Sequence, residues 1–269
     1  MRTCLVTGGS SGLGYATCQG LVQHGFRVVL TSRDPDRAAA AARRLGAEGM
    51  QLDLASLASV RTFVAAFLER YSRLDVLIHN AGTVEPRRRV TEDGFETQFQ
   101  VTYLAPFLLD HLLLQAVRPE RIINVASDLH RGVELVWDDL QSERDYQFVK
   151  AYGRAELARI LYTYELARRC PDLTVNCLHP GGVRTRLFRN FRGPLAWLLW
   201  LSDWLKQSPT RGAATSLYLA TADPIGSGGY YVARRLRPSS PASRDLDSAL
   251  RLWELSCQLL SIQRPDSEL

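Results

Sequence analysis

Short apolar runs alternate with amphipathic stretches from the first residues of the chain. Runs at 2–7 (RTCLVT), 26–33 (FRVVLTSR), 50–54 (MQLDL), 75–82 (DVLIHNAG), 121–127 (RIINVAS) and 173–182 (LTVNCLHPGG) read as strands with their loops. A further strand fits 228–233 (GGYYVA). Near-continuous hydrophobicity of this kind belongs to strands buried on both faces. Between them, 15–25, 34–46 and 55–74 carry helical spacing. Asp34 is placed to cap the second of these helices, with Pro35 at its first position and Gly46 at its end. A long helix is expected over 92–114, kinked or broken by Pro106, and a last one over 245–260. The stretch 150–166 (KAYGRAELARILYTYEL) forms an amphipathic helix with Leu157, Ile160, Leu161 and Tyr164 on its apolar face. This alternation predicts an α/β fold with a doubly wound parallel sheet in three α/β/α layers. No repeat or long linker divides the chain, so a single domain over 1–269 is expected.

Composition narrows the partners. At 269 residues, 46% apolar and 23% charged, the chain can bury one substantial core. Its net charge of +5 does not point to nucleic acid. The arginines are spread out, with runs only at Arg87, Arg88 and Arg89 and at Arg234 and Arg235, and no aromatics are interleaved. Five cysteines, odd in number and without CxxC or metal-ligand spacing, fit a reducing compartment; Cys4 and Cys177 read as buried strand residues. His24, His79, His111, His130 and His179 show no ligand pattern, and no metal is expected. The run 195–205 (LAWLLWLSDWL) is very apolar but too short to span a bilayer, and no signal peptide precedes the first strand. A soluble, cytoplasmic protein is expected.

The candidate chemistry begins in TGGSSGLG, Thr7 to Gly14, between a strand and a helix. Glycines there let the backbone approach a pyrophosphate, whose charge then lies on a helix N-terminus. At the end of the second strand, an acid would accept from a ribose 2′-OH and an arginine would pair with a 2′-phosphate. Arg33 therefore favours NADP(H) over NAD(H), and the capping role of Asp34 accounts for the neighbouring carboxylate. On the 150–166 helix, Tyr152 and Glu156 are four residues apart and share a face.

TGGSSGLG, the LDL at 52–54, NAG at 80–82, the Ser127 strand, Tyr152 and PGGVRT at 180–185 occur in one order and spacing. In these the chain resembles the short-chain dehydrogenase/reductases over nearly its whole length. GAATSLYLA (212–220), GGYYV (228–232) and RLWELSCQLL (251–260) resemble the retinol dehydrogenase-like branch. The resemblance implies a Rossmann-like fold, with a substrate-lid segment about 186–210 that holds the Trp197, Trp200 and Trp204 stripe. It implies that Gly8, Gly12 and Gly14 cradle the pyrophosphate with Ser10, Ser11 and Leu13 nearby. Asp53 and Leu54 would flank the adenine, and Asn80, Ala81 and Gly82 the adenosine ribose. Pro180, Gly181, Val183 and Thr185 would meet the nicotinamide end. Ser127 would bond a substrate carbonyl and Tyr152 would donate its proton. Association through the long helices is common in the family, which leaves a homo-oligomer open.

Two positions depart from the family pattern. Thr102 stands where an asparagine normally holds a relay water, and Glu156 stands where the family has a lysine. That lysine holds the nicotinamide ribose and lowers the tyrosine pKa, whereas a carboxylate raises it. At about 5 Å and an effective dielectric near 20, one unit charge is worth roughly 3 kcal/mol. Protonation of Glu156, its pairing with Arg154 or Arg159, or its acceptance from the ribose hydroxyls would soften the effect. An alternative YxxxK register, Tyr146 to Lys150, breaks the helix phase. The expected function is NADPH-dependent reduction of a bulky lipophilic ketone or aldehyde, retinal-like, steroid-like or polycyclic. The alternatives are non-redox acid–base chemistry by Tyr152 and Glu156, such as cyclisation, dehydration or isomerisation, and a non-catalytic NADP(H)-binding protein.

Overall fold

The apolar runs become strands because helices cover them on both sides. In this computed structural model, which describes residues 1–183 and 207–262, strands β1 (Thr3–Val6) and β4 (Val76–His79) are buried at every position. With β2 (Arg27–Ser32), β3 (Glu48–Gln51), β5 (Arg121–Val125), β6 (Thr174–His179), β7 (Gly229–Val232) and β8 (Arg235–Arg237) they form one sheet. Its order is β3-β2-β1-β4-β5-β6-β7-β8, parallel through β7, with β8 antiparallel on β7. The order reverses between β1 and β4, the crevice where open parallel sheets bind ligands.

Helices α1 (Gly12–Gln23) and α2 (Pro35–Leu45) cover one face of the sheet together with a later helix. Asp34 caps α2 through the Asp36 and Arg37 amides at 3.0 and 3.1 Å, and Gly46 ends it at φ 65°. Both ends match the sequence expectation. Helix α3 (Leu57–Leu68), capped by Ser56, starts the opposite layer. There follow a short α4 (Thr97–Phe99), a π-helical turn at Gln100–Leu104, α5 (Ala105–Ala116) and the long α6 (Phe148–Arg169). Helix α7 (Pro209–Thr221) returns to the α1 side, and α8 (Leu246–Leu259) packs on α6. Trp253 of α8 stacks on Tyr162 and meets Phe107 edge-on, and Ser256 bonds the Tyr103 hydroxyl at 2.5 Å. The faces of α5 and α6 carrying Phe107 and Tyr162 are thus covered from within the chain.

Some expectations fail. The third strand lies at Glu48–Gln51 rather than 50–54: the Leu52 amide makes a last bond to Ser32 O, and the chain then turns away with Leu52 and Leu54 in the core. No helix runs over 92–96, which form a turn. The expected interruption at Pro106 is present: a π turn over Gln100–Leu104 replaces α-helical bonding just before it, and α5 starts at Ala105 with Pro106 in its first turn, where a missing N–H matters least. Helix α7 and the hairpin strand β8 are additions that the sequence pattern does not predict. Thr185, the three tryptophans of the lid, the apolar run 195–205 and most of the 186–210 segment lie outside the described residues. All five cysteines are buried and free. Among the described residues, no helix is long and apolar enough to cross a membrane.

Candidate active site

The glycine loop leads from β1 into α1 with its helix end uncovered. The Ser11 side chain makes no cap, and no acid occupies the first turn, so the N–H groups there are left for an anion. Gly12, Leu13 and Gly14 line the cavity in front of them. Gly8 adopts φ 67°, and a Cβ on it would lie 3.1 Å from Ala81. A Cβ on Gly14 would run into the Gly8 carbonyl and the Asn80 amide. Thr7 secures the loop: its hydroxyl accepts from the Asn80 and Ala81 amides at 3.0 and 3.1 Å, and Asn80 Nδ2 donates back to the Thr7 carbonyl at 3.0 Å. Asn80 lines the cavity and also clamps the loop, a role its motif does not announce.

At one end of this cavity lie Arg33, Arg37 and Asp53. The Asp34 carboxylate is engaged with the α2 amides and with Arg37 Nε at 3.1 Å. Arg33 remains exposed on the cavity wall. Asp53 accepts from the Ala55 amide at 3.0 Å, which fixes the loop carrying Leu54. The uncovered helix end and the glycine cradle fit the pyrophosphate of a nicotinamide dinucleotide.

The other end is built on α6, where positions 152, 156 and 159 follow one another along a face. Tyr152, Glu156 and Arg159 are 6, 2 and 2% exposed, yet all line the cavity. Gly153 lets α6 press against the Ser127 loop; a Cβ there would lie 2.6 Å from the Leu129 carbonyl. Tyr152 stands beside Glu156 and Ser127, close enough for both to act on its hydroxyl, and Glu156 lies beside the Ser127 main chain. Burial first, then the charge of Glu156, pushes the Tyr152 pKa well above its ordinary value. Burial raises Glu156 also, opposed by the charge of Arg159 and by the neighbouring Tyr152 hydroxyl and Ser127 main chain. Glu156 Oε2 has no hydrogen-bond partner.

Arg159 does not bond Glu156 but spends its guanidinium on main-chain carbonyls. Nε and Nη2 donate to Thr102 O at 2.9 and 2.7 Å, Nη2 also reaches Ala81 O at 3.0 Å, and Nη1 donates to Val125 O. The Thr102 carbonyl is free because Pro106, four residues on, has no N–H to offer it. Thr102 therefore contributes its carbonyl to Arg159. Its hydroxyl is buried without a partner and does not line the cavity, so its expected place in the catalytic group is not met. Arg154 reaches the Ser142 hydroxyl at 3.5 Å rather than Glu156. Lys150 is exposed, and neither it nor Tyr146, whose hydroxyl donates to Glu85 O at 2.7 Å, lines the cavity, so the alternative register has no site.

The structure brings every residue expected at the site to this one cavity except Thr102 and Thr185, the latter outside the described residues. It adds Arg37 and the full part played by Arg159. The helical spacing of Arg37 from Arg33 is the available signal for the first; nothing local signals the second. Of the histidines, His179 lines the cavity. His130 is buried, its Nδ1 against Ser127 O at 2.6 Å and its Nε2 accepting from the Ser240 amide. His79 pairs with Asp110 at 2.6 Å in the core.

Comparison with known proteins agrees with this geometry. The family model for short chain dehydrogenases matches residues 2–195. Retinol dehydrogenase 14 of Mus musculus is 41% identical over 288 residues, covering 97% of this chain and 86% of the relative. The Streptomyces sp. (strain C5) protein DnrU, whose name gives it daunorubicin C-13 ketoreduction, is 38% identical, covering 95% of this chain and 91% of the relative. A Mycobacterium paratuberculosis structure superposes with a TM-score of 0.82 at 32% identity, covering 98% and 95% of the two chains. The RhlG/NADP complex of Pseudomonas aeruginosa gives 0.69 at 27% identity, covering 90% and 95%. The chain belongs to the short-chain dehydrogenase/reductase family, in its retinol dehydrogenase-like branch.

Proposed function

We propose that the protein is an NADPH-dependent reductase of a bulky lipophilic ketone or aldehyde that works without the family lysine. The observation carrying this reading is a single cavity with Arg33 and Arg37 at one end and the Ser127–Tyr152 pair at the other. The relatives named for retinol and for an anthracycline ketone support the substrate class, and a neighbour solved with NADP supports the cofactor.

The residues in place divide the work. The uncovered N-terminus of α1 and the glycine cradle would hold the pyrophosphate, and Arg33 with Arg37 the 2′-phosphate. The nicotinamide, when bound, supplies hydride. Ser127 Oγ accepts from the Leu129 amide at 3.2 Å, which fixes the hydroxyl on the cavity wall beside Tyr152, where its O–H would donate to a substrate carbonyl. Tyr152, held in its protonated form by burial and by Glu156, carries the proton that the carbonyl oxygen needs as its charge grows. Glu156 opposes a phenolate at Tyr152, so the site depends on Tyr152 regaining its proton rapidly. Arg159 offsets the carboxylate from behind.

The test follows deuterium from labelled NADPH into product across a panel of retinoid, steroid and polycyclic carbonyl compounds. Label in the alcohol is expected. Turnover without label, or with no nucleotide required, would instead support acid–base chemistry by Tyr152 and Glu156, which their buried positions side by side on the cavity wall favour as the second reading.

A further inference from the structure

Glu156 is a buried acid with half of its carboxylate unused. It is 2% exposed, lines the cavity beside Tyr152, and its Oε2 meets no donor within the chain. The nearest cation cannot satisfy it, because Arg159 has committed its guanidinium to the carbonyls of Thr102, Val125 and Ala81. A buried carboxylate oxygen with no partner is costly unless a ligand supplies a hydroxyl donor or a positive charge. A ribosyl-pyridinium supplies both: its diol donates, and its ring is cationic when oxidised and neutral when reduced.

The two ends of the cavity fix which half of the cofactor Glu156 would meet. The arginines stand at the adenosine end, and the carbonyl-binding hydroxyls of Ser127 and Tyr152 at the other, where hydride must be delivered. We propose that Glu156 accepts from the nicotinamide ribose hydroxyls and makes this site selective for the oxidised, cationic cofactor, reversing the charge that a lysine would present to it. The inference rests on the oxidoreductase reading and goes beyond it, because it assigns a redox-state preference. A unit charge facing the ring across protein of effective dielectric about 20 is worth a factor of ten or more in binding. Tighter binding of the oxidised form lowers the potential of the bound couple, by about 30 mV for each tenfold. The site would thus hold its reduced cofactor as a stronger hydride donor.

The experiment measures dissociation constants of NADP+ and NADPH by calorimetry at about pH 8, above the ordinary carboxylate range, for wild type, Glu156→Gln and Glu156→Lys. Adenosine 2′,5′-bisphosphate, which fills only the arginine end, reports whether each variant keeps its fold. The ratio of the NADPH to the NADP+ constant is expected to fall about tenfold in Glu156→Gln and further in Glu156→Lys, with bisphosphate binding unchanged. A ratio that stays within twofold of wild type in Glu156→Gln overturns this inference and leaves the reductase reading standing. Failure of wild type to bind either dinucleotide overturns both.

Discussion

Replacing Arg159 with methionine is the sharpest test of how this site is held together. The substitution removes four hydrogen bonds to three carbonyls, drawn from the π turn, the end of β5 and the loop after β4. Hydrogen bonds to a charged group contribute about 1.5–3 kcal/mol each. Two effects reduce the sum. The guanidinium no longer has to be desolvated, which costs several kcal/mol, and water from the adjoining cavity can reach some of the carbonyls. A net loss of about 3 kcal/mol remains, the low end for breaking a buried charged network. At roughly 2–4 °C per kcal/mol for a chain approaching this size, calorimetry of the free protein should show Tm falling by about 6 °C or more. Arg159→Lys should fall between, since one ammonium cannot fork across three carbonyls. A Tm for Arg159→Met within about 2 °C of wild type would refute the claim that this guanidinium joins the three elements.

Further predictions follow from the same geometry. Tyr152→Phe removes the proton donor and should lower kcat by about 10²–10⁴-fold, with NADP+ affinity by calorimetry unchanged. The double variant Arg33→Ala, Arg37→Ala loses the cations facing a 2′-phosphate. NADPH affinity should drop roughly 10- to 100-fold relative to NADH, and equal losses for both cofactors would place the phosphate elsewhere. Glu156→Gln should stabilise the fold in a pH-dependent way. The folded pKa of Glu156 is raised, so its ionised form is less favourable folded than unfolded. That penalty is full above the folded pKa and vanishes below the unfolded one, with each tenfold difference in proton affinity between the two states worth about 1.4 kcal/mol. The Gln variant should therefore exceed wild type in Tm at about pH 8 and converge with it below about pH 4; a constant gap would argue against a titrating carboxyl.

The parts of the fold legible in the sequence are those whose determinants sit side by side. Asp34, Pro35 and Gly46 bracket α2 because capping is a local matter. The glycine loop is readable for the same reason. The third strand is misplaced by pattern alone because Leu52 and Leu54 look like strand residues, whereas Glu48, Gly49 and Gln51 pair with β2 only because the neighbouring strand offers its edge. The helix around Pro106 is only partly legible because what replaces its missing hydrogen bond is a side chain far along the chain. Tyr152, Ser127 and Glu156 are visible in the motif. The place of Arg159 is not, since three carbonyls from three elements have to meet around it before its role exists.

Helix α8 closes the layer that backs α6, and its partners come from much earlier in the chain: Tyr103 bonds Ser256 across 153 residues. During synthesis the sheet through β6 and the glycine loop can form while α8 is still unmade. Phe107 and Tyr162, already packed on each other and on Tyr103, then lack the covering ring of Trp253 until α8 is made. Closing so long a loop is slow relative to local pairing. The late-arriving helix thus sets when α6, and with it Tyr152, Glu156 and Arg159, acquires its final backing. A nascent chain halted before residue 246 would carry the catalytic motif on a helix that still lacks that layer.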